Sequence, residues 1–161
     1  MENIERALAL GAVLKRIGNF DINTFEGRLV LQKTVYLLQS LGLYFGYKFS
    51  WYVHGPYSPE LTREAFKIYP FFNEIPRAKF AKPQTEKRFQ DYLHFIGEKR
   101  NDADWLEQLA CIHFLSSLNP SAGRDDIINA VLNHEHHFSK KQCEEAWAHL
   151  LKHNPVKGKK E

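Results

Sequence analysis

The chain has 161 residues, 43% of them hydrophobic and 25% charged, which suffices for one domain with its own core and argues against extensive disorder. The net charge of +3 is below the strong basic excess that marks most dedicated nucleic-acid-binding modules. No apolar run approaches the roughly 20 residues of a membrane span, the N-terminus lacks the basic region of a secretory signal, and two cysteines cannot form a disulfide framework. These features predict a single cytoplasmic domain over residues 1–153, without membrane association, followed by a frayed basic tail at 154–161.

The first two predicted elements are helices. Apolar residues recur at helical spacing between Ile4 and Ile17, and Gly18 is a typical helix-ending residue. The segment 25–41 is apolar around most of its circumference, as expected of a helix in the middle of a core. We therefore predict that 25–41 is the central helix.

The hydrophobic period then changes from helical spacing to strict alternation. Large apolar side chains occupy every second position from Tyr47 to Val53, which predicts a half-buried strand near 46–54 with Trp51 packed against the central helix. A lone strand would leave its backbone groups unpaired. We therefore predict that an extended piece at 77–81 pairs with it as a small hairpin-like element.

The remaining elements are predicted to be helices. One begins at Pro59, since proline is favoured in the first turn of a helix. Four further amphipathic stretches lie at 84–99, 104–118, 124–133 and 139–152. The patterns Asp104-x-x-Glu107 and Ser139-x-x-Gln142 predict capping boxes. The predicted fold class is mainly α, a single compact helical domain of about seven helices with one small β element.

Two motifs carry the most specific signal in the chain. The first is Leu31-Gln32-Lys33 followed by Tyr36, and the second runs from Phe49 to Leu61 with the sequence FSWYVHGPYSPEL. Glycine and proline at turns usually serve backbone geometry. We interpret the following motif residues as mainly structural: Gln32, Lys33, Tyr36, Trp51, Gly55, Pro56 and Pro59.

Together these motifs resemble the Panacea domain, the antitoxin-type domain related to the proteolytic adaptor SocA and to the phage-associated GepA proteins. The second motif is also similar to the YwgA-like proteins. The resemblance covers residues 20–65 approximately. It implies a non-enzymatic binding protein, such as an antitoxin, an adaptor or a phage-related regulator, whose partner would be a toxin or a protease substrate. The group has no established catalytic residues.

Three side chains of the second motif are predicted to contact a protein partner. Tyr52, His54 and Tyr57 lie on the polar side of the predicted strand and turn. Aromatic anchors carry a large share of the binding energy at protein interfaces.

Nucleic acid is the alternative partner. The segments 124–133 and 139–152 fit a helix-turn-helix variant with the β element as a wing, which would make the protein a winged-helix-like transcription regulator. The candidate phosphate contacts are Arg77, Lys79, Lys82, Lys87, Arg88, Lys140 and Lys141.

A metal site and an enzymatic activity have little support in the sequence. Possible metal ligands gather near the C-terminus without the spacing of known zinc motifs, namely His134, His136, His137, Cys143, His149 and His153. Ser58 and Asp125 are explained by helix starts, and Cys111 lies in an apolar run typical of an inert core thiol. We therefore expect no catalytic residues, no metal and no cofactor.

Overall fold

The structure, a computed structural model, describes residues 3–18, 20–135 and 137–153. These residues form seven α-helices, two short 3-10 segments and one antiparallel hairpin, which confirms the mainly α prediction. The helices are α1 (Asn3–Ile17), α2 (Phe25–Ser40), α3 (Pro59–Ile68), α4 (Pro83–Ile96), α5 (Ala103–Leu118), α6 (Arg124–His134) and α7 (Lys140–Lys152). The strands are β1 (Ser50–Tyr52) and β2 (Gly55–Tyr57), and the 3-10 segments are Tyr69–Glu74 and Gly97–Lys99. The predicted tail at 154–161 lies outside the described residues.

Helix α2 lies in the core, as its apolar circumference predicts. It begins where Thr24 Oγ1 accepts a hydrogen bond from Gly27 N at 2.9 Å, and every residue from Val30 to Leu38 is buried. It packs against α5, α3 and β2, and α5 in turn packs against α6 and α7. Because α2 has no solvent-facing side along this stretch, its polar side chains must find partners inside the protein.

The partner of the predicted strand comes from the residues directly after it, so the predicted pairing with 77–81 is wrong. Strand β1 pairs with β2, and a local reversal of this kind closes only a very short loop. The backbone near 77–81 is paired by side chains instead. Phe80 N donates to Glu86 Oε1 at 3.0 Å, and Arg16 Nη1 donates to Ala78 O at 3.3 Å.

Strand β1 is also shorter than predicted because a glutamine takes the place of a neighbouring strand. Gln39 Nε2 donates to Tyr47 O at 3.0 Å, and Gln39 Oε1 accepts from Tyr47 N at 3.0 Å and from Phe45 N at 3.2 Å. The chain before Ser50 is therefore held on α2 by a side chain and forms no ladder.

The predicted packing of Trp51 against the central helix is wrong. The indole is half-buried, and its ring centroid lies 5.4 Å from that of His134 and 6.0 Å from that of Phe114, on α6 and α5. Phe49 contacts α2 instead, edge-on to Tyr36 at 5.3 Å. Short two-stranded ribbons twist strongly, and alternation along the sequence does not fix which helix each face of the hairpin meets.

The tightest approach between the hairpin and α5 is at Gly55. This buried residue has a φ of +92°, which L side chains rarely adopt, and an added Cβ would overlap Cys111 Sγ. The position therefore requires glycine both for its backbone and for its neighbour.

We predict that Gly55→Ala lowers the free energy of unfolding by about 2–4 kcal/mol, the sum of a left-handed-backbone penalty and an overpacking penalty. Gly18→Ala is the matched control, because Gly18 has a φ of +83° but a Cβ there meets no described atom within 4 Å. Its loss should be about 1 kcal/mol. Urea denaturation measures both. Adding Cys111→Ala to Gly55→Ala should recover part of the loss, and equal losses at the two glycines would contradict the overlap.

Candidate functional site: a pocket and a buried polar cluster at the hairpin

Two polar side chains of α2 hold the hairpin and the start of α3 in place. Gln32 Nε2 donates to Ser58 O and Gln32 Oε1 accepts from Ser58 N, both at 2.9 Å. Lys33 Nζ donates to Pro56 O at 2.7 Å. Both side chains are buried, so the first motif serves as a clamp on the second.

The other motif residues complete this arrangement. Tyr36 OH lies 2.7 Å from His113 Nδ1 and links α2 to α5. Pro59 is the first residue of α3, directly after Ser58, whose Oγ accepts from Leu61 N at 3.3 Å.

A pocket of about 280 Å³ lies between the hairpin and the first turns of α2. Its described lining residues are Phe25, Arg28, Leu29, Gln32, Lys33, Tyr52, Val53, His54, Gly55, Tyr57 and Thr62. Three of them are large, apolar and well exposed, namely Phe25 at 57%, Tyr52 at 47% and Val53 at 80%. Ring contacts support the walls, with centroids 5.0 Å apart for Tyr52 and Tyr57 and 5.1 Å apart for Phe25 and His54.

The residues predicted to contact a protein partner, Tyr52, His54 and Tyr57, all line this pocket. Phe25 and Val53 also line the pocket and were not among the predicted contact residues. Phe25 begins α2, and nothing in the sequence places that helix end beside the hairpin. A signal for Val53 was present, because it immediately precedes the His54-Gly55 turn and such loop positions are usually exposed.

His54 also belongs to a buried polar cluster. Its Nδ1 lies 3.5 Å from Glu107 Oε2, and the nearest ligand-type atoms of His54, Glu107 and Glu135 lie within 4.8 Å of one another. His137 flanks the cluster, with Nε2 3.8 Å from Glu107 Oε1 and Nδ1 3.9 Å from Glu135 Oε1. The two glutamates are only 1% and 2% exposed.

Burial dominates the protonation of this cluster. It raises the pKa of Glu107, and it raises the pKa of Glu135 to about 8, with the adjacent Glu107 as the second cause. Burial lowers the pKa of Lys33, although the neighbouring acidic groups Cys111, Glu107 and Glu135 oppose that shift. Two carboxyl groups therefore meet where ionised carboxylates are unfavourable without a compensating cation.

The role of Glu107 differs from the predicted capping box. The N-cap of α5 is Asp102, whose Oδ1 accepts from Trp105 N at 3.0 Å, and Asp104 lies within the first turn. The helix therefore begins two residues earlier than the pattern indicated. Glu107 is left without a capping role and lies in the buried cluster instead.

The histidines considered as metal ligands are dispersed in the structure. His134 packs on Trp51, and the His149 and His153 rings contact each other with centroids 4.6 Å apart. Among the described members of that group, only His137 reaches a cluster of ligand-type side chains. His136 lies outside the described residues.

The basic residues predicted to contact nucleic acid are exposed and lie in two parts of the chain, residues 77–88 and the first turn of α7. Two of them are engaged within the protein. Lys87 Nζ lies 3.1 Å from Asp91 Oδ1, and Arg88 Nη1 donates to Gly42 O at 3.0 Å. Helix α7 packs against α5 as well as α6, so the α6–α7 pair contributes to the core. Nucleic-acid binding remains a prediction.

We predict that Gln32→Leu lowers the free energy of unfolding by about 2–4 kcal/mol, because it leaves the buried Ser58 N–H and C=O without their side-chain partner. Gln90→Leu is the control, because Gln90 is exposed on α4, and its effect should stay within about 0.5 kcal/mol. Denaturant titration of both variants measures the difference. A similar, small effect of both substitutions would show that the clamp contributes little.

No family model, curated protein or solved structure matches this chain. The likeness to the Panacea and YwgA-like groups therefore remains a prediction that depends on the two motifs. Within the described residues, no helix combines the length and the apolar composition needed to span a bilayer.

Proposed function

We propose that this chain is a non-enzymatic binding module that holds an apolar side chain of a protein partner in the pocket between α2 and the hairpin. The observation that carries the proposal is the exposed rim formed by Phe25, Tyr52 and Val53. Single exposed apolar residues are ordinary on a protein surface. Three exposed apolar residues around one cavity form the kind of apolar patch that marks interaction sites.

The pocket has room for one side chain of a partner. Its volume is about 280 Å³, at the small end of the roughly 300–1,000 Å³ typical of ligand pockets. An aliphatic or aromatic side chain fits such a space. The exposed rim residues would then contact the partner around that anchor, which is the arrangement typical of interface hot spots.

The chemistry of the pocket favours binding over catalysis. Its described lining residues include no serine, cysteine or carboxylate, and the Lys33 amine is engaged with Pro56 O. The nearby Cys111 thiol is fully buried, and burial raises its pKa well above the ordinary value. A thiol that stays protonated is a poor nucleophile.

The class of partner is supported by the motif resemblance. The residues that resemble the Panacea domain include Gln32 and Lys33, which hold the hairpin, and Tyr52 and Tyr57, which line the pocket. We therefore infer an antitoxin-like or proteolytic-adaptor-like role in the cytoplasm, in which the pocket binds a toxin or a protease substrate.

We predict that Val53→Asp weakens partner binding roughly thirtyfold, because it places a charge at the apolar mouth of the pocket, and Tyr52→Ala should act in the same direction. Leu118→Asp is the matched control, since Leu118 is 61% exposed and does not line the pocket. Capture from the native host with each variant as bait identifies a partner, and calorimetry with the purified partner measures its affinity. Retained affinity in Val53→Asp would place the interface elsewhere.

A salt titration with random duplex DNA tests the alternative partner. Our proposal predicts no binding at physiological salt. Tight binding there would overturn the proposal in favour of nucleic acid if it is abolished by reversing the charges of Arg77, Lys79, Lys82, Lys87 and Arg88.

A further inference from the structure

We propose that His54, Glu107 and Glu135 form a binding site for one divalent transition-metal ion of the Zn²⁺ or Mn²⁺ type. The three residues come from the loop between β1 and β2, from α5, and from the residue after α6. This site can hold a metal whether or not the pocket binds a protein.

The geometry of the cluster suits a metal ion. The separation of His54 Nδ1 and Glu107 Oε2 is 3.5 Å, and two ligands at about 2.1 Å from a tetrahedral zinc ion lie about 3.4 Å apart. Glu135 adds a third ligand-type oxygen, and one such atom from each of the three residues lies within 4.8 Å of the other two. Small side-chain movements therefore suffice to close the three atoms on one ion.

Unpartnered polar atoms provide the second, independent observation. His54 Nδ1, Glu107 Oε2 and Glu135 Oε2 are all buried, and among the described residues none has a hydrogen-bond partner outside the cluster. Within the cluster the Glu107 and Glu135 carboxyl groups lie within hydrogen-bond reach of each other, a contact that requires one of them to be protonated. Both glutamates are at least 98% buried, being 1% and 2% exposed. A buried polar atom without a partner is costly, and buried charges are normally paired or coordinated to a metal. One cation among these three atoms would satisfy all of them together.

The ligand types decide which metals fit. One imidazole nitrogen with two carboxylate oxygens is a donor set suited to zinc, manganese and ferrous iron. Calcium and magnesium prefer sites made entirely of oxygen and take six or more ligands. We therefore expect the site to discriminate against Ca²⁺ and Mg²⁺.

Additional ligands and a route from solvent lie next to the cluster. His137 and Asp104 are exposed, and their ligand-type atoms lie within 4.8 Å of a carboxylate oxygen of Glu107 and of each other. These two side chains can supply a fourth ligand or deliver an ion from the surface. The alternative occupant of the cluster is a proton shared by the two carboxyl groups, and the titration below distinguishes the two.

The test is a titration of full-length protein, prepared without a polyhistidine tag and stripped with a chelator, with Zn²⁺ and separately with Mn²⁺. Calorimetry should show one metal ion bound per chain, and the melting temperature of the protein should rise with metal concentration. Ca²⁺ and Mg²⁺ should bind at least about tenfold more weakly than Zn²⁺. Co²⁺ should give a visible ligand-field spectrum that reports the nitrogen and oxygen donors.

Near-isosteric variants assign the site. Glu107→Gln and Glu135→Gln should each weaken Zn²⁺ binding by at least about tenfold. Each variant removes a buried carboxylate, so the metal-free proteins should be at least as stable as the wild type. His54→Gln supplies a third, independent test if either variant fails to fold. The matched control is Glu98→Gln, at an exposed glutamate outside the cluster, which should bind as the wild type does.

His149→Gln tests whether the metal binds at a different pair of histidines. His149 and His153 contact each other on the last turn of α7 and at its C-cap. The substitution should leave Zn²⁺ binding unchanged. The proposal is overturned if the wild type binds no metal, which would indicate a shared proton. It is overturned equally if folded Glu107→Gln and Glu135→Gln proteins keep full affinity, or if His149→Gln abolishes binding.

Discussion

A lysine amine inside the core fixes the position of the hairpin on α2. Lys33 is 1% exposed, and its Nζ donates to Pro56 O at 2.7 Å. A buried amine is costly unless it has a hydrogen-bond partner. Pro56 O supplies that partner, and burial lowers the pKa of Lys33. The hydrogen bond from Lys33 to Pro56 thus holds the hairpin against α2. The pocket and the polar cluster depend on that placement.

The loop of the hairpin contributes to two sites with different chemistry. Val53 points to the exposed apolar pocket, whereas His54 lines that pocket and also reaches Glu107 and Glu135. The pocket offers area to an apolar group, and the cluster offers nitrogen and oxygen atoms to a cation. Since each site uses its own set of side chains apart from His54, partner binding and metal binding can be separated by substitution.

Sequence patterns that span only a few residues predicted the structure correctly where a helix start or an apolar helix face decides it. The capping box of Ser139 and Gln142 forms as predicted, because its hydrogen bonds join residues three apart. The same rule was wrong for Glu107, since Asp102 caps α5 first and leaves the glutamate facing the interior. A different local rule, the alternation of apolar residues, predicted the strand but not the packing of Trp51, whose ring neighbours lie on α5 and α6.

The sequence by itself determined the helices and the buried character of α2, because hydrophobic period, capping residues and turn residues act over a few positions. It also singled out Tyr52, His54 and Tyr57, whose role as partner contacts stays a prediction. Only the tertiary structure decided which elements meet. Phe25 joins the pocket, and Glu107 and Glu135 join His54, through packing between segments far apart along the chain. No local pattern encodes those contacts. They follow from the way α2 and α5 pack against each other and against β2, and from the hydrogen bond that Lys33 of α2 donates to Pro56 O on the hairpin.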